Sequence, residues 1–583
     1  MKKFYFLIFL FYTTSFAISP KLLTSLEAEI VISGEIEVYG NIKEISTQFY
    51  IPQEGIKKIK VFPNNWEIVE DELKNKMIKI KWKSPSSIEK YEVKIIIENK
   101  AKFLENLTSE EWFFELAKRE TRLTKANDEI RRLAYGNETI FEKTLRLMKW
   151  IDENIEYDWS ALESSIPMQK SAIEVLKKKK GVSGEMSNFL VAALRSVSIP
   201  ARVVFGYTLR EIKDFVEEKV GHGWAEVFID GKWIPFDITY FEAGYLDASH
   251  IKFANLLENN ASEKTTYIGI GNIIVKRNPL KIKVINYTIA NLTFDLNVKD
   301  KVKGNEAFLV NAKPLGFCRL EKVELISCLD SNAKPLLKIL ESKRSFWFCN
   351  NEDVYFIVIA PFVEKNTIIK CPIILFSEYG VSVKKEIEIF ENSPKREEIK
   401  ISGKDKVSIF EKIKLTSNIN GTWFSPNFSF SSFGNMSELY FKKPGKYKIY
   451  FYSNGKFGEK EIEVVEEKDF EFVKISVPAF IKFGRDFILN VTIKNVLNLT
   501  LPAKVKVEIE DQVKEVYSTF SPFEEKEFSF NLTSKSKGVK KVFISLESRS
   551  FNSYTTFVDI VEEKKTFFEK IFEFIKFLFS FKK

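Results

Sequence analysis

The sequence predicts a multidomain α+β protein: an N-terminal β domain, a central α+β domain, and about three β-sandwich domains behind it. Three observations carry this. The 583 residues are enough for roughly three to five domains. Period-2 alternation of apolar and polar residues runs from 22 to 102 and dominates again beyond 263, the mark of half-buried strands. Between these regions apolar residues recur every three or four positions, the mark of amphipathic helices. The composition, 45% hydrophobic and 29% charged, is that of folded globular material and not of a disordered chain. The formal charge of +9 is mild and the lysines are spread along the chain. No basic, aromatic-interleaved platform is present, so nucleic acid is not an expected partner.

Residues 1–17 read as a secretory signal peptide, with Lys2 and Lys3, an apolar run from Phe4 to Tyr12, and Ser15-Phe16-Ala17 as cleavage site. The rival, an uncleaved anchor, needs about 20 apolar residues, and this run stops at Thr13. The N-terminal β domain follows at 18–104. Its strands, such as EAEIVISGEIEVYG and YEVKIIIE, carry no chemistry and read as a packing or spacing module.

The helical region spans 105–262. Thr108 and Glu111 have the spacing of a capping box. A short helix is expected over Asn127–Ala134. Phe141, Leu145, Met148, Ile151 and Ile155 mark a longer one. A third runs from Ser171 into Lys177–Lys180, cations that complement a helix C-terminus. Gly181 breaks it, and Ser183 opens a helix whose buried stripe is Phe189, Ala192, Ala193 and Val197. Asp230-Gly231 between two alternating runs reads as a type I′ turn, so Ile229 should face Lys232. That register puts His222, Trp224, Glu226, Asp237 and Thr239 on one face. Ala225, Val227, Ile229, Ile234, Phe236 and Ile238 take the core face. Asp237 becomes the diagonal neighbour of His222, roughly 7–8 Å away along the backbone and within side-chain reach. Ser183, His222 and Asp237 then supply a nucleophile, a base and an orienting carboxylate, the parts that covalent acyl chemistry needs. A serine at a helix start is equally a good cap, so either role suits Ser183. His250, the only other histidine, has no ligand-spaced partner and reads as surface or structural.

This stretch resembles the transglutaminase-like superfamily, whose fold is papain-like. The resemblance rests on GVSGE at 181–185, SIPAR at 198–202, HGWAE at 222–226 and the WIPFDIT run at 233–239. MKWIDENIEYD, from Met148, is also similar to the helix that precedes the family's nucleophile loop. The resemblance implies a catalytic set Ser183, His222 and Asp237, with Glu185, Trp224 and Glu226 at the substrate cleft. The departure is Ser183 itself, where the family carries cysteine. A helix N-terminus lowers a thiol pKa, whereas a serine hydroxyl must lose its proton during attack.

Beyond this domain, 263–394 holds all four cysteines, Cys318, Cys328, Cys349 and Cys371. In an exported chain they imply two disulfides, with 318–328 and 349–371 expected from proximity alone. Zinc is not expected there, because no Cys-x-x-Cys or nearby histidine is present. No metal or cofactor is expected elsewhere. Residues 395–466, where Asn454-Gly455 marks a hairpin, and 467–563 read as further sandwiches, the last loosely similar to Ig-like adhesion modules. Eleven Asn-x-Ser/Thr sequons agree with an exported glycoprotein, although an Asn- and Ser-rich chain produces many by chance. The tail 564–583 reads as an amphipathic helix, too short and charged to span a bilayer. It suits the membrane interface or docking on the protein. The expected protein is secreted or held at the cell surface. Its cleft is expected to bind a peptide, protein or cell-envelope polymer with little or no catalysis, or else to work as a Ser183-His222-Asp237 amide or ester hydrolase or acyltransferase.

Overall fold

The computed structural model describes residues 19–561, apart from 105–106, 108–114, 137, 163–168, 219–220, 262, 350–352, 394–398, 410, 427–429, 442–443, 466–468, 499, 511 and 549–550. The expected signal peptide, the Thr108–Glu111 box and the 564–583 tail lie outside the described residues. The chain divides into two compact units. The first runs through Asp405 and includes Ile413–Leu439 and Tyr447–Ile462; the second comprises Lys406–Lys412, Tyr440–Lys446 and the chain from Glu463.

In the first unit, a 28-residue strand, Leu23–Tyr50, organises the N-terminal sheet. Leu26, Ala28 and Ile30 alternate into a core shared with Val93, Ile95 and Ile97. One edge of the long strand pairs with Ile88–Lys100 and Lys76–Lys83. The other pairs with Lys264–Arg277 and Leu280–Ile289. Residues 264–289, at the start of the expected 263–394 domain, thus pair into this sheet. The reason is the unmet hydrogen-bonding groups of so long a strand: strands from 76–100 cover one edge, and chain from far downstream covers the other.

The central domain is an antiparallel sheet in the order Glu242–Ala243, Lys232–Asp237, His222–Ile229, Ala201–Tyr207, Ile251–Leu256. The hairpin register is the one the Asp230-Gly231 turn demands. Ile229 pairs with Lys232 and Ala225 with Phe236, and Asp230 and Gly231 both have positive φ, 49° and 79°. Ala225, Val227, Ile229, Ile234, Phe236 and Ile238 join Phe189, Leu190 and Ala193 in one cluster under the helices. Those helices begin where capping chemistry places them. Asp128–Ala134 is capped by Asn127, Ile140–Asn154 by a Thr139–Glu142 box and Ala172–Lys178 by a Ser171–Glu174 box.

Residues 293–392 form a four-stranded and a five-stranded sheet around a shared core that includes Phe308, Val310, Leu325 and Ile373. Both disulfides are here, but they join Cys318 to Cys349 and Cys328 to Cys371, not 318 to 328 and 349 to 371. Strand register decides the pairing. Arg319 lies opposite Phe348, which brings the flanking Cys318 and Cys349 together. Ser327 lies opposite Ile373, which brings Cys328 to the Cys371 strand. An extended strand between Cys318 and Cys328 keeps those two apart. Two disulfides fit an oxidising compartment. No helix among the described residues is long and apolar enough to cross a membrane.

The second unit has its own core. The sheet of Phe470–Ser476, Asp486–Asn495 and Glu525–Thr533 contributes Leu489, Val491 and Leu532. A five-stranded sheet that includes Leu501–Ile509 and Gly538–Glu547 contributes Val505, Val507 and Ile544.

Peptide mapping of the non-reduced protein is expected to yield 318–349 and 328–371 cross-links. Replacing Cys328 and Cys371 together by alanine should destabilise the first unit by about 4 kcal/mol, the chain-entropy value for a loop of this length, measured by denaturant unfolding. A 318–328 cross-link would contradict the register.

Candidate active site

Ser183 is the first residue of the helix Ser183–Arg195, and the capping position belongs to Val182. The Glu185 carboxylate closes the helix end by accepting the Val182 N–H at 3.0 Å. It also accepts the Lys170 N–H at 2.8 Å and pairs with the Lys170 ammonium at 3.1 Å. The capping role open to Ser183 in the sequence is thus filled by other groups.

The helix start and the His222 strand meet at backbone contact. A Cβ on Gly223 would stand 2.9 Å from the Gly184 Cα, and one on Gly184 would stand 1.6 Å from the Asn259 amide nitrogen. The Ser187 hydroxyl lies within hydrogen-bond distance of the Ser183 and Gly223 carbonyls, at 2.9 and 3.0 Å. Only residues without a side chain allow this approach, and it sets Ser183 and His222 on the wall of one cavity of about 430 Å³. Tyr157, Thr208, Arg210 and Tyr240 line the same space.

His222 begins its strand and Asp237 ends the partner strand. The His222 Nε2 lies 2.5 Å from the Asp237 Oδ2, which leaves Nδ1 as the ring nitrogen able to take a proton from a nucleophile. The Tyr240 N–H donates to the Asp237 Oδ1 at 2.9 Å. Asp237 is completely buried. Burial by itself would raise its pKa, but His222 and His250 outweigh this and hold the carboxyl well below the usual range. Tyr157 is raised, chiefly by burial and against hydrogen bonding to Ser183. Its hydroxyl is therefore a neutral donor beside the serine.

The three residues expected at the cleft do not line the cavity. Trp224 is 1% exposed and packs with Val204 and Leu246. Glu226 is buried between the Arg202 guanidinium, at 2.7 Å, and the Lys252 ammonium, at 3.0 Å. Glu185 is spent on the helix start. Large or charged side chains beside a reactive residue need not face the ligand; here they complete the scaffold beneath it. His250 is not at the surface. It is 4% exposed and its Nε2 lies 3.1 Å from the same Asp237 oxygen that holds His222. His250, Tyr157, Arg210 and Tyr240 were invisible as site residues, since none stands at a recognisable spacing from Ser183. The one available signal was the nearness of Tyr240 to Thr239.

Residues 128–238 match the family model described as transglutaminase-like superfamily. The chain carries a transglutaminase-like domain. No curated protein matches the sequence significantly. Among solved structures, similarity extends to a candidate cysteine protease from Cytophaga hutchinsonii, 17% identical over 45% of this chain and 98% of that one, with a TM-score of 0.31. Red sea bream transglutaminase is 10% identical over 94% of each chain, with a TM-score of 0.20. The CARDB domain of a Pyrococcus furiosus protein is 23% identical over 15% of this chain and 90% of that one, with a TM-score of 0.15.

Two outcomes test the scaffold around the transglutaminase-like site. Burial would raise Glu226, yet Lys252 and Arg202 hold it at about 2 against an ordinary 4.5. A carboxyl depressed in the folded state adds stability that is complete above pH 4.5 and disappears as pH falls toward about 2. Glu226→Gln should flatten that acid limb of the stability curve and cost about 3 kcal/mol at neutral pH, read from urea unfolding at a series of pH values. An unchanged acid limb would show that the carboxylate is not held as described. Gly223→Ala should force the Ser183 helix and the His222 strand apart and lower the melting temperature; a crystal structure with unmoved backbones would refute the close packing.

Proposed function

We propose that this is an exported surface protein whose transglutaminase-like cleft binds an amide- or ester-bearing polymer, a peptide or cell-envelope strand, with slow acyl chemistry at Ser183. The observation that carries the reading is the His222–Asp237 pair at 2.5 Å, set on the cavity that Ser183 also lines. A base held in one tautomer by a buried carboxylate serves no packing purpose. At the start of the Ser183 helix the Glu185 and Met186 N–H groups donate to the Val182 carbonyl, both at 2.9 Å, so the N–H groups of Ser183 and Gly184 are the donors proposed for a developing oxyanion.

The hydroxyl limits the rate. The family pattern has cysteine at this position, and a helix N-terminus favours a thiolate. Serine draws no comparable benefit, so attack depends wholly on proton removal by His222 as the bond forms. In the forward step Ser183 Oγ bonds the acyl carbon, its proton passes to His222 Nδ1, and the leaving amine or alcohol takes that proton back. Water or an amine then releases the acyl group. A full serine hydrolase or acyltransferase is the second reading, favoured by one observation: the Ser183 hydroxyl is not consumed as the helix cap.

Wild type, Ser183→Cys and Ser183→Ala are compared with an electrophilic acyl probe, and adducts are located by mass spectrometry. Ser183→Cys should label readily at position 183, and adding His222→Ala should slow that labelling by about 100-fold. Wild type should label little. Rapid labelling of wild-type Ser183 that depends on His222 would replace the binding reading by the serine-enzyme one. No adduct on Ser183→Cys would sink both.

A further inference from the structure

Behind Asp237, away from the cavity, lies a second cluster that the acyl chemistry does not use. His250, Glu242 and Asp247 are buried, at 4%, 0% and 1% exposure. The His250 Nδ1 is 3.2 Å from the Asp247 Oδ2 and 3.9 Å from the Glu242 Oε2. Despite these distances, His250 Nδ1, Asp247 Oδ2 and Glu242 Oε1 make no hydrogen bond among the described residues. Each remaining oxygen is accounted for. Glu242 Oε2 accepts the Asp247 N–H at 3.2 Å, and Asp247 Oδ1 accepts the Ser249 N–H at 2.6 Å. Among the described residues no lysine or arginine forms an ion pair with Glu242 or Asp247. The ammonium of Lys21, near by, is taken by the Tyr240 carbonyl and Glu378, at 2.5 and 3.2 Å. Two buried carboxylates thus converge on one imidazole nitrogen, with no lysine or arginine paired to either among the described residues, an arrangement that is costly unless a cation completes it.

We propose that His250 Nδ1, Glu242 and Asp247 bind a divalent metal ion, zinc best fitting the set, directly behind the Ser183-His222-Asp237 group. One ligand atom from each residue lies within 4.8 Å of the other two. Zinc–ligand bonds of about 2.0–2.2 Å in tetrahedral array hold ligand atoms about 3.4 Å apart, close to the 3.2 Å between His250 and Asp247. One imidazole with carboxylates suits zinc better than calcium or magnesium, which take oxygen. The other ring nitrogen supplies an independent sign. Metal-bound histidines donate their second N–H to a carboxylate, which fixes the tautomer, and the His250 Nε2 stands 3.1 Å from Asp237. A second candidate set, His222, Asp237 and His250, is excluded because both imidazoles already point nitrogens at one Asp237 oxygen. The ion would fix His250, and His250 in turn would fix the carboxylate that orients His222. His250 is therefore a metal ligand and positioning residue, and the site does not depend on whether Ser183 reacts.

The test uses the untagged full chain, purified without chelator, with metal content read by mass spectrometry. About one zinc ion per chain is expected, and Asp247→Asn and Glu242→Gln should each lower it about tenfold or more. Stripping the metal with dipicolinate should lower the melting temperature, and added zinc should restore it. Zinc-edge X-ray absorption on the wild type should show a single imidazole with oxygen ligands, a readout that stands even if both variants fail to fold. The proposal is overturned if wild type is metal-free and its melting temperature is unmoved by Zn²⁺, Mn²⁺ or Ca²⁺; the cation would then be a proton on His250. Full zinc occupancy in a folded Asp247→Asn protein, or a shell with two imidazoles or none, would overturn it as well.

Discussion

One carboxylate oxygen, Asp237 Oδ2, lies within hydrogen-bond distance of two imidazoles, those of His222 and His250. Ionised and completely buried, such a group is tolerable only if every lone pair meets a donor, and the Tyr240 N–H supplies the contact to the other oxygen. The surrounding architecture is what makes this possible. The Asp230-Gly231 hairpin delivers Asp237 to the end of one strand and His222 to the start of its neighbour. The chain after Tyr245 folds back so that His250 arrives from the opposite side. The N-terminal sheet seals that side, with Tyr245, Ala248, Ile251 and Phe253 in the same core as Ile30 and Ile95. It is part of the site's enclosure and more than a spacer.

The nucleophile position depends on a different constraint, the absence of side chains. Gly184 and Gly223 let a helix start and a strand touch, and the Ser187 hydroxyl bridges them. Bringing a helix N-terminus to a histidine serves an anion well. The arrangement is thus better matched to a thiolate than to the hydroxyl this chain presents. The neighbouring ion pairs of Glu226 with Arg202 and Lys252 and of Glu185 with Lys170 hold the two elements in place from below.

Much of the site was legible because it is local. A two-residue turn fixes a hairpin register, and period 2 then assigns every side chain to a face. His222, Asp237 and the six core-facing residues of the hairpin followed from that alone. Helix starts at Asn127 and Ser171 were equally local, since a cap acts within one turn, whereas the Thr139 cap emerged only in the structure. What failed was everything set by partners distant in the chain. Proximity in sequence suggested Cys318 with Cys328, but an extended strand separates them and register across the sheet joins each to another cysteine. Nothing in 264–289 announced that it would close the far edge of Leu23–Tyr50.

The sequence by itself therefore determined the family resemblance, the hairpin, and that the side chains of His222 and Asp237 would meet, because turn chemistry and strand periodicity act over a few residues. Only the tertiary structure decided which side chains see the cavity. Trp224 and Glu226 share the predicted face with His222, yet the packing of Leu246 and the charges of Arg202 and Lys252 consume them. His250, unremarkable in sequence, became the residue behind Asp237 because a sheet edge, a buried loop and a second β layer meet there. Burial of that kind is a sum over contacts from all parts of the chain, and no local pattern encodes it.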